Sequence, residues 1–144
     1  MFKIFLSLIV GLALGVGFYT FIYSKGYSYL SNNPSVCTNC HIMQTEYDGW
    51  IKSSHHHVAV CNDCHMPDNF FGKYWTKALN GFWHSFYFTT GSFKEPIQIT
   101  KRNFKIAENN CRRCHQDVVD AMDGSHGQDK KLSCIRCHGS VGHP

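Results

Sequence analysis

Cys37-Thr38-Asn39-Cys40-His41, Cys61-Asn62-Asp63-Cys64-His65, Cys111-Arg112-Arg113-Cys114-His115 and Cys134-Ile135-Arg136-Cys137-His138 repeat one pattern four times. Cys-x-x-Cys-His is the spacing that attaches a c-type haem: the thiols add across the vinyl groups and the adjacent imidazole is delivered beneath the iron. The motifs consume all 8 cysteines of the chain. Four covalently attached haems are the first expectation. Two rival readings explain less. Zinc sites of four thiolates use Cys-x-x-Cys pairs but give the four following histidines no role. Disulfides suit an exported chain yet leave the same histidines idle.

The chain has 144 residues, at most one modest domain plus an anchor. Divided among four haems, that is roughly thirty residues each, too few for a large aliphatic core. The porphyrins are expected to serve as the core, and the apoprotein to be largely unfolded. The expected fold is mostly α: a single N-terminal transmembrane helix plus a small multihaem domain of short helices and turns, with little β structure. A formal net charge of +4 is modest, and no basic run is dense enough for nucleic acid. Arg112-Arg113 and Lys130-Lys131 lie in or near the motifs, where they can balance anionic haem propionates.

Ile4 to Tyr23 is a run of twenty residues without a charged side chain, long enough to span a bilayer as a helix. Lys3 and Lys25 flank it and do not decide its orientation. The haem motifs do, because covalent attachment occurs outside the bacterial cytoplasmic membrane. Residues 1–25 are therefore expected as an anchor with the N-terminus inside, and residues 26–144 as a periplasmic domain. A cleaved signal peptide would use Ala13-Leu14-Gly15, but the apolar stretch continues through Val16, Phe18, Phe21 and Ile22. Gly11-Leu12-Ala13-Leu14-Gly15 is a small-xxx-small pattern that could support self-association of the membrane helix.

The first two motifs start 24 residues apart (Cys37, Cys61) and the last two 23 apart (Cys111, Cys134), with Ser54-His55 and Ser125-His126 inside the intervals. Two di-haem units, 37–65 and 111–143, follow as an internal repeat. Between them, Asn69 to Phe93 is dense in rings, among them Phe70, Trp75, Phe82, Trp83, Phe86 and Tyr87. A helix lying along the membrane surface fits that composition, with some rings packed on the haems.

Four six-coordinate haems need eight axial ligands. His41, His65, His115 and His138 come with the motifs; His55, His126 and His143 are the distal candidates, and His56 and His57 are solvent-facing or interfacial neighbours. Spacing does not say which distal His serves which haem. The first motif runs on as Cys-x-x-Cys-His-x-Met, placing Met43 two residues beyond His41. Two residues so close cannot reach opposite faces of one porphyrin, so Met43 either replaces His41 or packs as an ordinary apolar side chain.

Together these residues resemble the NapC/NirT family of cytochromes, most closely its NrfH-type branch of small membrane-anchored quinol dehydrogenases. The resemblance covers essentially the whole chain: the anchor, the four motifs, Cys37 to Met43, Ser53-Ser54-His55, Cys64-His65-Met66-Pro67, Lys77 to Ser85, and Val141-Gly142-His143. It implies an enzyme that oxidises a quinol, menaquinol, and passes electrons to a periplasmic pentahaem ammonia-forming nitrite reductase of the NrfA type. It implies that Met43, not His41, ligates the first haem, which borders the quinol site at the membrane surface, and that Lys77 belongs to that site. His84 stands where some relatives have Asp, beside the open face of the first haem, as a ligand, a base or both. The resemblance further implies that a partner subunit can complete one haem with a lysine. Relatives in the same family serve nitrate, trimethylamine-oxide or other reductases, and a soluble multihaem electron carrier is the rival from another class. No Cys-x-x-Cys-Lys motif marks the chain itself as the nitrite reductase.

The residues agree with that placement. Lys77 and His84 are seven apart and share one helix face, with Gly81 between them. Lys77 can stabilise a developing quinolate and His84 can accept a proton. The plainer alternatives are snorkelling for Lys77 and a structural hydrogen bond for His84.

Overall fold

The computed structural model describes residues 1–126 and 132–143, of which 123–126 by backbone alone. All regular structure among the described residues is helical. Helix α1 spans Phe2–Tyr23, 22 residues with none buried, and its most apolar 18-residue stretch has a mean hydropathy of 2.2. At 1.5 Å per residue it is about 33 Å long, which matches a hydrocarbon core of about 30 Å. Lys25 turns left-handed at φ 54° and leads into a 3₁₀ turn, Gly26–Leu30. The chain divides into two compact units after that turn, Met1–Ser31 and Asn32–Pro144.

The second unit begins with 3₁₀ turns at Pro34–Asn39 and His41–Met43. It continues through α2 (Gln44–Lys52), α3 (Cys61–His65), α4 (Phe70–Thr90), α5 (Lys101–Cys114), α6 (Gln116–His126) and α7 (Cys134–Cys137). The first motif lies on the 3₁₀ turns, the second is α3, the third is the last turn of α5, and the fourth is α7 with His138 closing it. Residues three apart on a helical turn are neighbours, so the second, third and fourth Cys-x-x-Cys pairs each present both thiols to one side, while Cys40 of the first is extended between two 3₁₀ turns.

Helix α5 organises this unit. Thr100 caps its start by accepting the Asn103 N–H at 3.3 Å. The Nδ2 group of buried Asn110 donates to the Cys64 carbonyl at 2.9 Å and the Met66 carbonyl at 2.8 Å, which ties the third motif to the end of the second. Glu108 accepts from the Ser133 hydroxyl at 2.6 Å and from the backbone N–H groups of Cys134 and Ile135 at 3.1 and 2.9 Å. That clamp holds the first turn of α7, where unpaired N–H groups and the helix dipole both favour a carboxylate. The second and third motifs are neighbours, because α3 packs on α5. Helices of four or five residues bury too little to stand alone, so the motifs hang on one long helix.

Burial by itself would raise the Glu108 carboxyl, but the hydrogen bonds from Ser133, Ile135 and Cys134 outweigh it and hold the group below its ordinary value of 4.5. Its stabilisation is therefore complete at neutral pH, fades as the pH drops below about 4.5, and is lost once the folded carboxyl is protonated. Thermal melts of the haem-loaded protein are expected to show Glu108→Ala less stable than wild type at pH 7. The gap should narrow on acidification below pH 4.5, and a pH-independent gap would contradict the clamp.

Helix α4 is built inside out. Asn69 caps it by accepting the Gly72 N–H at 2.6 Å, and Gly91 ends it at φ 64°, a left-handed position that glycine adopts without a Cβ clash. Its buried residues are Thr76, Lys77 and Asn80, all polar, whereas Phe71 is 83% exposed and Trp75 66%. A water-facing helix shows the opposite arrangement.

Candidate functional site

Successive motifs lie beside one another in chain order. The Cys61 thiol donates to the Cys37 sulfur, Cys64 feels the charge of Cys114, and Cys111 that of Cys134. The bond from Cys61, set against burial and helped by the Lys77 charge, brings the Cys37 thiol down to about 7. Burial, with Cys134 and Cys64 next, pushes Cys111 up to about 11. Among the described residues, no group of three or more His, Cys, Asp or Glu is placed to hold a metal ion.

Two pairs of imidazoles face each other. The ring centres of His65 and His143 are 5.9 Å apart with planes 14° from parallel. Those of His55 and His115 are 6.1 Å apart with planes at 76°. An imidazole nitrogen binds a first-row metal at about 2 Å and the ring centre lies roughly 1 Å behind it, so two axial imidazoles place their centres roughly 6 Å apart. Both pairs meet that spacing. His55 Nδ1 lies 3.3 Å from both the Val141 carbonyl and the Ser54 hydroxyl, and the tautomer that donates from Nδ1 to the carbonyl leaves Nε2 for a metal. Burial, then the nearness of His143, lowers the pKa of His65 and favours the neutral imidazole that a ligand requires. The thiol pairs and the facing imidazoles together fit c-type haem.

The other candidates are placed differently. His41 is exposed, while Met43 is half-buried at the start of α2. His138 caps α7, and His126 closes α6 with a side chain that lies outside the described residues. His56 packs edge-on against Trp50 with ring centres 4.6 Å apart, and exposed His57 lies beside it. Trp50 in turn donates to the Ala59 carbonyl at 3.0 Å, fixing the segment that leads into the second motif.

The polar inner face of α4 adjoins the first motif. Lys77 is only 5% exposed, its Nζ lies 5.8 Å from the Tyr74 ring centre, and its charge is felt at Cys37. Burial, then repulsion from Lys73, lowers the Lys77 ammonium from its ordinary range. One turn further, the Asn80 Oδ1 accepts from Arg102 at 2.5 Å and from Asn103 Nδ2 at 3.2 Å. His84 ends the same stripe with its ring exposed; partial desolvation by its surroundings, then the Arg102 charge, lowers its pKa. A cation that readily gives up a proton and an imidazole that stays neutral suit the oxygens of a dihydroxy aromatic.

Sequence reasoning missed Glu46, Arg102, Glu108 and Asn110. Glu108 had a local signal, standing one turn before Cys111 on the helix that carries it. The others act across the fold.

Fold and site together define a membrane-anchored multihaem c-type cytochrome. The whole chain, residues 1–144, matches the NapC/NirT cytochrome c family, N-terminal region, and belongs to that family. It is 36% identical to the cytochrome c-type protein NrfH of Wolinella succinogenes, over 99% of this chain and 86% of the relative. It is 31% identical to the cytochrome c nitrite reductase subunit NrfH of Nitratidesulfovibrio vulgaris, over 82% of this chain and 71% of the relative. A solved structure, the cytochrome c nitrite reductase NrfHA complex bound to the HQNO inhibitor, is similar at a TM-score of 0.62 and 28% identity, covering 93% of this chain and 88% of its own.

Proposed function

We propose that this protein is the quinol-oxidising, membrane-anchored subunit of a nitrite reductase complex. It takes electrons from menaquinol and delivers them to a periplasmic pentahaem reductase. Its N-terminus lies inside and residues 32–144 lie in the periplasm. The observation that carries the reading is Lys77: a buried lysine on the polar face of α4, beside the first motif, on a helix whose outer face is aromatic. That outer face suits the headgroup layer of a bilayer, where an apolar diol would arrive.

The four haems, when bound, take up electrons singly and hold them at iron. Cys37 and Cys40, Cys61 and Cys64, Cys111 and Cys114, and Cys134 and Cys137 would hold them covalently. Met43 would ligate the first, His65 and His143 the second, His115 and His55 the third, and His138 the fourth, for which His126 is the remaining distal candidate. Oxidation of the quinol releases two electrons and two protons. Lys77 donates to one quinol oxygen and stabilises the quinolate as that oxygen's proton leaves to water. His84 receives the other proton, and Asn80, fixed by Arg102 and Asn103, holds the wall between them. Co-purification from native membranes tests the partner. Recovery of a pentahaem nitrite reductase supports the reading, and recovery of a nitrate reductase in its place overturns it.

The ring angles carry a separate prediction. Parallel and perpendicular axial imidazoles split the iron orbitals differently. The near-parallel pair, at 14°, is expected to give an ordinary rhombic low-spin EPR signal, and the 76° pair a strongly anisotropic signal with a large g maximum. His55→Met should remove the second signal and spare the first.

A further inference from the structure

His143 Nδ1 lies 2.5 Å from Oε2 of Glu46, and both atoms are sealed from solvent with no other hydrogen-bonding partner. Glu46 stands in the first turn of α2, one turn from Met43 at the start of that helix. The other facing pair differs at the same point, because His55 Nδ1 meets the neutral carbonyl of Val141 at 3.3 Å. One axial imidazole is therefore backed by a carboxylate and the other by a peptide.

We propose that Glu46 is a positioning residue that holds His143 through its Nδ1–H, fixes the ring parallel to His65, and lowers the potential of the haem they share. This rests on the assignment of His143 as an axial ligand. A carboxylate that accepts the N–H of a metal-bound imidazole raises the basicity of the opposite nitrogen, and the charge-assisted bond is stronger than one to a neutral acceptor. More negative charge on the ligand favours the ferric over the ferrous state. The second-motif haem consequently sits at a lower potential than the third, although both have two histidine ligands. The location also gives Glu46 a route to the electron-entry end of the chain, since the same helix turn starts at Met43.

Potentiometric titration of the haem-loaded full chain in detergent, followed by optical and EPR spectra, tests this. Glu46→Gln keeps an acceptor oxygen but loses the charge. It is expected to raise one midpoint potential and leave the others in place, and the shifted haem should be the one with the near-parallel rhombic signal. Its near-infrared ligand-to-iron charge-transfer band should move as well, and Glu46→Asp should restore part of both effects. His143→Ala separates the two ideas, because it should abolish that low-spin signal. If it leaves every low-spin signal unchanged, the axial assignment fails and the inference with it. If it abolishes the signal while Glu46→Gln moves no potential, the assignment stands and the role of Glu46 is refuted.

Discussion

Replacing Lys77 with leucine is expected to slow menaquinol-driven haem reduction by roughly 100-fold or more, the scale on which one positioned proton-transfer group acts. Haem content and optical spectra should stay as in wild type. Leucine fills much of the same space, so the loss falls on chemistry rather than on packing. Snorkelling to lipid headgroups would leave the Nζ end outside, whereas the whole residue is 5% exposed. Lysine also gives up a proton more easily than arginine, and burial has already lowered this one. Lys77→Arg should therefore recover only part of the rate, since it keeps the charge without the easy deprotonation. Stopped-flow reduction by a quinol, with dithionite as a control that bypasses the site, makes the measurement. Wild-type quinol rates in Lys77→Leu would remove this residue from the site.

The chain made without haem is expected to lose its cooperative fold beyond Ser31. Among the described residues, Ala107 and Val119 are the buried hydrophobic side chains. Fully burying a large aliphatic side chain contributes about 1.5–3 kcal/mol. Ordering one residue of backbone costs about 1–2 kcal/mol. The half-buried side chains add fractions of the first figure and leave the polypeptide far short of balance. Folding is thus linked to attachment, as in small metallo-domains. A variant with all eight cysteines changed to alanine should show weak helical circular dichroism outside α1, rapid proteolysis and no sharp melting transition. A sharp two-state melt of that variant would mean the polypeptide core suffices.

Much of the architecture was legible because it is local. Thiol spacing marked the four Cys-x-x-Cys-His motifs, an uncharged run marked α1, and aromatic density marked α4, which forms over Phe70–Thr90. The shared face of Lys77 and His84 followed from helix periodicity, and both lie on the stripe that carries Asn80. The two similar intervals did not show how the motifs are joined: Asn110 joins the third motif to the second, and Glu108 joins it to the fourth. Equal spacing records how each motif forms, and packing decides which motifs share a neighbour.

The number of thiol pairs, the membrane helix and the helical class are written in the order of the residues. Each depends on residues within a turn or two of one another. Only the tertiary structure decided which imidazoles face each other, that α4 turns its polar stripe inward, and that Glu46 backs His143. His55 meets the Val141 carbonyl across 86 positions of chain. No short-range periodicity specifies a contact of that separation; it is set by how α3 and α7 pack on α5, and so by where each side chain is carried.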